Sequence, residues 1–179
     1  MTALITPWAT GGRLFAWWTA DTERLGPDDR FRPPARSRAV VSEAFACGAV
    51  ITGRRTFDIA RGWGGHHPAG VPFFLLTHNP PGKWVGPGTG GTVVSGGIES
   101  ALEQARAVAG GRPVSINSAS VAQQYLRGGL LDEVHMHLVP VLLGGGVRMF
   151  ADVDRQYALK CTRVVESDGV THLSYRVLK

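Results

Sequence analysis

Short apolar runs alternating with stretches of helical periodicity constrain this chain more than any other feature. Residues 48–52, 71–77, 92–95 and 113–116 are apolar and of strand length, and the second is closed by His78-Asn79-Pro80-Pro81, a strong turn signal. Residues 37–46 place Val40, Val41, Ala44 and Phe45 three and four apart. Ile98, Ala101, Leu102, Ala105 and Val108 mark one face of a second helix, closed by Gly110-Gly111. Ser120-x-x-Gln123 has the spacing of a capping box and opens a third, through Tyr125 and Leu126 to Gly128-Gly129. Strands buried on both faces read as unbroken apolar runs, so this alternation predicts an α/β chain with a mostly parallel sheet covered on both sides. Residues 3–6 add a short strand, and 132–143 predict a long one running into Gly144-Gly145-Gly146. Residues 157–166 and 170–178, around Ser167-Asp168-Gly169, predict an antiparallel C-terminal hairpin.

With 179 residues, 44% of them hydrophobic and 18% charged, the chain suits one domain over 1–179, large enough to bury a core. The net charge of +5 raises the question of nucleic acid, but the arginines are scattered. Only Arg30, Arg32, Arg36 and Arg38 cluster, within residues 26–38, which read as a solvated surface loop. Nucleic acid is therefore not expected as a partner, while a small anionic ligand is compatible with the charge. Cys47 and Cys161 form no metal or redox pattern, which suits a reducing compartment. Residues 1–10 lack a basic-then-apolar leader, and no apolar run approaches the roughly 20 residues that span a bilayer, so a cytoplasmic protein with no membrane partner is expected.

Three segments carry a family resemblance. Gly53-Arg54-Arg55-Thr56-Phe57 resembles the G-R-[RK]-T-[YFW] element of dihydrofolate-reductase-like proteins. Residues 130–146, Leu-Leu-Asp-Glu-Val-His-Met-His-Leu-Val-Pro-Val-Leu-Leu-Gly-Gly-Gly, resemble their L-x-D-E-L…P-x-L-L-G-x-G block, and Val170-Thr171-His172-Leu173 with Tyr175-Arg176-Val177 resembles their closing strand. The branch it most resembles is the riboflavin-biosynthesis reductase, or RibD C-terminal, domain. That resemblance implies a three-layer αβα dihydrofolate-reductase-like fold, a homodimer, NADPH or NADH as cofactor and a small-molecule substrate. It places Gly53, Arg54, Arg55 and Thr56 at the 2′-phosphate side of the cofactor, Thr77 and Ser95 along the next strand ends, and Asn117, Ser118 and Ser120 at the diphosphate. The physics of the first element agrees, since free amides at a helix start beside a guanidinium make an anion site.

The chain also departs from the family. Its diphosphate grip is a glycine pair, and here that pair is Asn117-Ser118, with a Cβ on each residue where the cofactor approaches backbone closely. Side-chain hydroxyls of Ser118 and Ser120 at a helix start are one substitute; Ser120 as a plain N-cap is the other reading. Gly96 replaces an acidic residue in Ser95-Gly96-Gly97-Ile98-Glu99. The N-terminal segment leads quickly into Gly12-Arg13-Leu14-Phe15-Ala16-Trp17-Trp18, with Phe15 where relatives carry a histidine. Phe15, Trp17 and Trp18 are either a wall for a flat apolar substrate or core aromatics, and Leu143 and Gly144 complete the expected substrate side. No carboxylate there could protonate a pterin, which argues against a dihydrofolate reductase. His135-x-His137 shares one strand face but has no third ligand, so it reads as structural, and no metal is expected. His66-His67 reads as a lid element or an exposed pair. Two functions follow: an NAD(P)H-dependent reductase of a small conjugated or heterocyclic substrate, or a cofactor-independent descendant (a cyclase, isomerase or small-molecule-binding protein) using the emptied cleft. Specialised metabolism suits either.

Overall fold

The apolar runs become parallel strands. In the computed structural model, which describes residues 2–3, 12–25, 31–151, 153 and 155–179, they are β2 (Ala49–Gly53), β3 (Phe73–Leu76), β4 (Gly91–Val94) and β5 (Val114–Ile116). With β1 (Thr2–Ala3) they pair in the order β1-β5-β2-β3-β4. The remainder of the strand expected at 3–6 lies outside the described residues. Neighbouring side chains point to opposite faces, as the pleat requires. Ala49, Ile51 and Phe74 join the core made by α3 (Gly97–Ala109) and α4 (Ala119–Arg127), while Val50, Phe73 and Leu75 pack with Phe57 of α2 (Arg54–Ile59). The Tyr125 hydroxyl of α4 donates to the Ile98 carbonyl at 2.6 Å and ties α4 to the first turn of α3. In α3 the buried face uses Ala109 rather than the expected Val108, which is exposed.

Several boundaries differ from expectation for local reasons. Of the segment expected as a solvated loop at 26–38, residues 26–30 lie outside the described residues; the remainder instead buries Phe31, Pro33 and Pro34, and α1 (Ala35–Phe45) already begins within it. Arg38 on that helix reaches back to Asp21 at 2.7 Å and to Glu23. Helix α4 is capped by Ser118, not Ser120: the Ser118 carbonyl accepts the first intrahelical bond, from the Ala122 N–H at 2.8 Å, and Ser120 is the exposed second residue of the helix. Gln123, the other half of the expected capping box, donates to the Met149 carbonyl at 2.7 Å.

The long strand expected over 132–143 is the shorter β6 (Glu133–Leu138). Pro140, which has no N–H to offer a ladder, lies just beyond its end. The C-terminal hairpin forms as predicted, β7 (Leu159–Ser167) and β8 (Val170–Val177), with Gly169 at φ 74 in the turn. These two strands do not extend the parallel sheet. They join β6 in a separate antiparallel sheet of order β6-β8-β7. Helix α1 bridges to it, with Glu43 paired to Arg163 of β7 at 2.7 Å and Ser37 bonded to His172 of β8 at 2.9 Å. No helix among the described residues is long and apolar enough to cross a membrane.

Candidate functional site

Strand order alone decides where a ligand can sit. β2 leads into α2 on one face of the sheet and its neighbour β5 leads into α4 on the other, which opens the sheet at the carboxyl ends of these two strands. Along this edge the chain gathers Asn117 and Ser118 after β5, Gly53 and Arg54 at β2, Thr77 after β3 and Ser95 after β4. The expected cofactor residues are therefore neighbours. Gly53 faces Ser118 directly: a Cβ on Gly53 would lie 2.7 Å from Ser118 Oγ.

How these residues are held differs from residue to residue. Arg54 Nε donates to both Asp58 carboxylate oxygens at 2.9 Å, and its guanidinium also donates to the Asn79 carbonyl. Thr77 accepts the Asn79 N–H at 3.1 Å, so Arg54 and Thr77 brace one turn. Arg55, Ser95 and Ser120 are exposed and Thr56 is half-buried. This set of guanidinium and hydroxyl donors suits a phosphorylated ligand, and the one carboxylate among them, Asp58, is neutralised by Arg54. At the glycine-pair position the match fails in shape. Asn117 is 3% and Ser118 4% exposed, so a buried side chain stands at each position where a glycine pair would leave a notch of bare backbone for a diphosphate. Ser118 makes no side-chain cap bond to α4, so a phosphate reaching this point would meet a hydroxyl and an amide.

Beside this edge lies a cavity enclosing about 50 Å³, walled by Trp18, Phe31, Phe45 and Trp63 and bounded by His67 and Asn117. Asn117 thus belongs both to the strand-end rim and to the cavity. The far wall depends on an unusual turn. Arg61 and Trp63 both sit at φ 50, a left-handed conformation costing about 1–2 kcal/mol for a residue with a Cβ. Gly62 between them has φ 55 and no room for a Cβ, which would meet Trp84 at 2.6 Å and the Phe57 ring at 2.8 Å. The turn brings the Trp63 ring 4.7 Å from His67 and 5.5 Å from Phe73. Of the histidine pair, only His66 is exposed. Desolvation lowers the His67 pKa to about 4, so the ring is neutral at ordinary pH.

The expected substrate residues divide. Trp18 lines the cavity, but Trp17 is buried behind it, stacked on Trp18 at 4.6 Å, and Phe15 is half-buried in the same cluster. Both belong to the core. Leu143 and Gly144 are exposed in the loop after β6 and are not cavity residues, because β6 stops early. Behind Trp17 is a chain of polar groups the sequence did not suggest. His137 and His172, paired across β6 and β8, bring their Nδ1 atoms to 2.7 Å, and His172 Nε2 meets Ser37 Oγ at 2.9 Å. Among the described residues no group of three or more His, Cys, Asp or Glu could hold a metal ion.

Against known proteins, residues 92–173 match the family model of the RibD C-terminal domain. A protein from Shewanella sp. PV-4, assigned provisionally to riboflavin biosynthesis, has a similar structure, with a TM-score of 0.68 at 21% identity over 91% of this chain and 87% of that one. The fold is that of the RibD-like proteins. This RibD-like, dihydrofolate-reductase-like fold is shared by a pyrimidine reductase-like protein from Corynebacterium diphtheriae, with a TM-score of 0.62 at 14% identity over 99% of this chain and 91% of that one. It is shared too by the diaminohydroxyphosphoribosylaminopyrimidine deaminase/5-amino-6-(5-phosphoribosylamino)uracil reductase of Thermotoga maritima, with a TM-score of 0.59 at 15% identity; the match covers 99% of this chain and 56% of that larger one. No curated protein matches the chain in sequence.

Proposed function

We propose that this chain is a small-molecule reductase of the RibD kind, using NADPH or NADH on a conjugated or heterocyclic substrate, in a specialised rather than a central pathway. The observation that carries this reading is the double position of Asn117, on the strand-end rim and in the wall of the aromatic cavity. A dinucleotide laid along the rim would end beside a substrate in the cavity. Arg54, Arg55, Thr56 and Thr77 would hold the adenosine phosphate side, and Ser95, Ser118 and Ser120 the remainder. The bound nicotinamide would supply hydride; the protein's part is to position the substrate and keep water from it. Trp18, Phe31, Phe45 and Trp63 do both through an apolar wall. A homodimer is proposed with this reading, and light scattering should return twice the chain mass.

One observation favours the second reading, a cofactor-independent enzyme or binding protein: the buried side chains at Asn117 and Ser118, the glycine-pair position. Titrating the purified protein with NADPH by calorimetry separates the two. Saturable binding supports the reductase, and none at millimolar cofactor leaves the cofactor-independent descendant. In the first case Asn117→Gly/Ser118→Gly reopens the notch and is expected to tighten NADPH binding about tenfold, or ~1.4 kcal/mol. An unchanged affinity would show that the diphosphate lies elsewhere.

A further inference from the structure

Backbone strain in this molecule is gathered in one place. Among the described residues three that carry a Cβ have positive φ, Arg61 and Trp63 at 50 and Trp84 at 67. They meet: a Cβ added to Gly62 would lie 2.6 Å from Trp84 Cβ, so the left-handed turn over 61–64 sits directly against Trp84. Each of these residues is held in a conformation it would leave if its surroundings let go, and strain of this kind collects at ligand clamps and switch segments. The turn opens the segment 61–70. On its inner side Trp63, His67, Pro68 and Ala69 line the aromatic cavity, while Arg61, Gly64, His66 and Gly70 are exposed. The backbone N–H groups of Trp63, His66 and Gly70 donate to the carbonyls of Ala60, Trp63 and His67, all within the segment or at its root. What fastens it to the rest of the molecule is the bond from the Gly90 N–H to the Gly65 carbonyl at 2.8 Å and the side-chain contact of His67 with Asn117 at 3.3 Å.

The size of the cavity requires one wall to move. It encloses about 50 Å³, well below the ~150 Å³ that takes a benzene, so no ring-sized substrate fits while every wall stays in place. The opposite wall is regular structure: Phe45 of α1, Val50 of β2 and Ser115 of β5. Val50 and Ser115 face each other in the parallel ladder, which would have to break before that wall retreated. The segment 61–70 retreats by releasing the two fastenings named above, and the strain at Arg61 and Trp63 is relieved as it goes.

We propose that residues 61–70 are a lid, closed in this structure, that swings away to admit a ring-sized substrate to the aromatic cavity and then closes over it. Strain at Arg61, Trp63 and Trp84 lowers the work of opening, and the Trp63 ring, once back against His67 and Phe73, keeps water from the seat. The purpose of the lid rests on the cavity being the substrate seat of the proposed reductase; its motion depends on no cofactor.

Cys47 is a native reporter of this motion. It lines the cavity, is 4% exposed and belongs to the cluster on which Trp63 and Ala69 pack, whereas Cys161 is exposed. In a Cys161→Ser protein, methyl methanethiosulfonate therefore has one thiol to modify, and reaches it through an opening. At pH 7.5 the rate of Cys47 modification is expected to change less than twofold between 0 and 1 M urea, because lid opening exposes little new surface; access through global unfolding would accelerate about tenfold over that range. Arg61→Gly relieves the strain of the closed lid and is expected to slow modification about fivefold, while Arg61→Ala, which keeps the Cβ, leaves the rate within twofold. A urea response of the global kind, or equal rates for Arg61→Gly and Arg61→Ala, overturns the lid; the urea series needs no lid variant to fold. Because neither substrate nor nicotinamide is added, the outcomes stay distinct. A lid that opens in a protein that does not bind NADPH keeps this inference and removes the reductase, and NADPH binding with Cys47 reached only by global unfolding does the reverse.

Discussion

Gly48→Ala is expected to destabilise the protein by about 3 kcal/mol or more and to lower Tm by roughly 6–12 °C. Gly48 begins the entry to β2, where its N–H donates to the Pro113 carbonyl at 2.8 Å. A Cβ there would lie 2.6 Å from Ala109 Cα and 2.8 Å from its carbonyl carbon, and closer still to the carbonyl oxygen. These are backbone atoms in the last turn of α3, and they cannot swing aside as the end of a side chain can. The collision must instead be relieved by moving α3 off the sheet, which would open the core around Ala101, Leu102 and Ala105. Gly82→Ala is the control, because a Cβ at Gly82 meets nothing within 4 Å. Denaturant midpoints of the two variants provide the measurement, and equal midpoints would remove the close helix–strand approach from the account.

Nothing in the spacing around Gly48 marks it as a contact glycine, and this illustrates which parts of the molecule the sequence makes legible. Strands announce themselves through what they bury: Val50, Ile51, Phe73, Phe74 and Leu75 are apolar because both faces of the parallel sheet are covered, so β2 and β3 are readable to within two residues at their ends. The alternation with helices left the order of the strands open; Gly53, Thr77, Ser95 and Ser118 were grouped by the family resemblance, and the strand order brings all four to one edge of the parallel sheet. Boundaries set by a single residue's competition were not readable. Ser118 and Ser120 can both cap a helix, and what decides between them is where β5 stops, a matter of pairing with β2.

The cavity was legible only in part, because its residues come from segments far apart in the chain. By sequence Trp18 and Asn117 belong on the ligand side, whereas Phe31 reads as part of a solvated loop and His67 as part of a lid or an exposed pair. The missed signal at His67 was the glycine pattern before it. Gly62, Gly64 and Gly65 flank Trp63 and permit a left-handed turn that carries the chain back to the wall. Likewise His137 and His172 are opposite each other only in the antiparallel register of β6 and β8, which periodicity within either strand cannot reveal.

That register leads to the second large effect: acidification from pH 6.5 to 4.5 is expected to cost about 5 kcal/mol of stability. Burial lowers the pKa of His137 to about 3, with the neighbouring His172 and His135 charges adding to the effect, and that of His67 to about 4. His172 is lowered as well, by burial and then by Arg163. Above pH 6.5 both folded and unfolded chains hold these rings neutral, so they contribute no pH dependence. Below it the unfolded chain takes up protons that the folded chain refuses, and each such ring removes up to about 1.4 kcal/mol per pH unit until its folded pKa is reached. Asp21 and Asp132, whose pKa values are held below 3.8, lose their stabilising charge only further down and do not shape this window. A proton on the accepting Nδ1 also disrupts the bond between the two Nδ1 atoms, which needs one bare nitrogen and one N–H. Replacing the whole chain of polar groups, in Ser37→Ala/His137→Leu/His172→Leu, removes donors and acceptors together and should leave stability at pH 7.5 within ~2 kcal/mol while flattening the acid slope by half or more. Denaturant titrations at pH 7.5, 6.5, 5.5 and 4.5 read both quantities. If the variant keeps the full acid slope, the buried histidines are not its source, and Trp17 is held against β6 and β8 by packing alone.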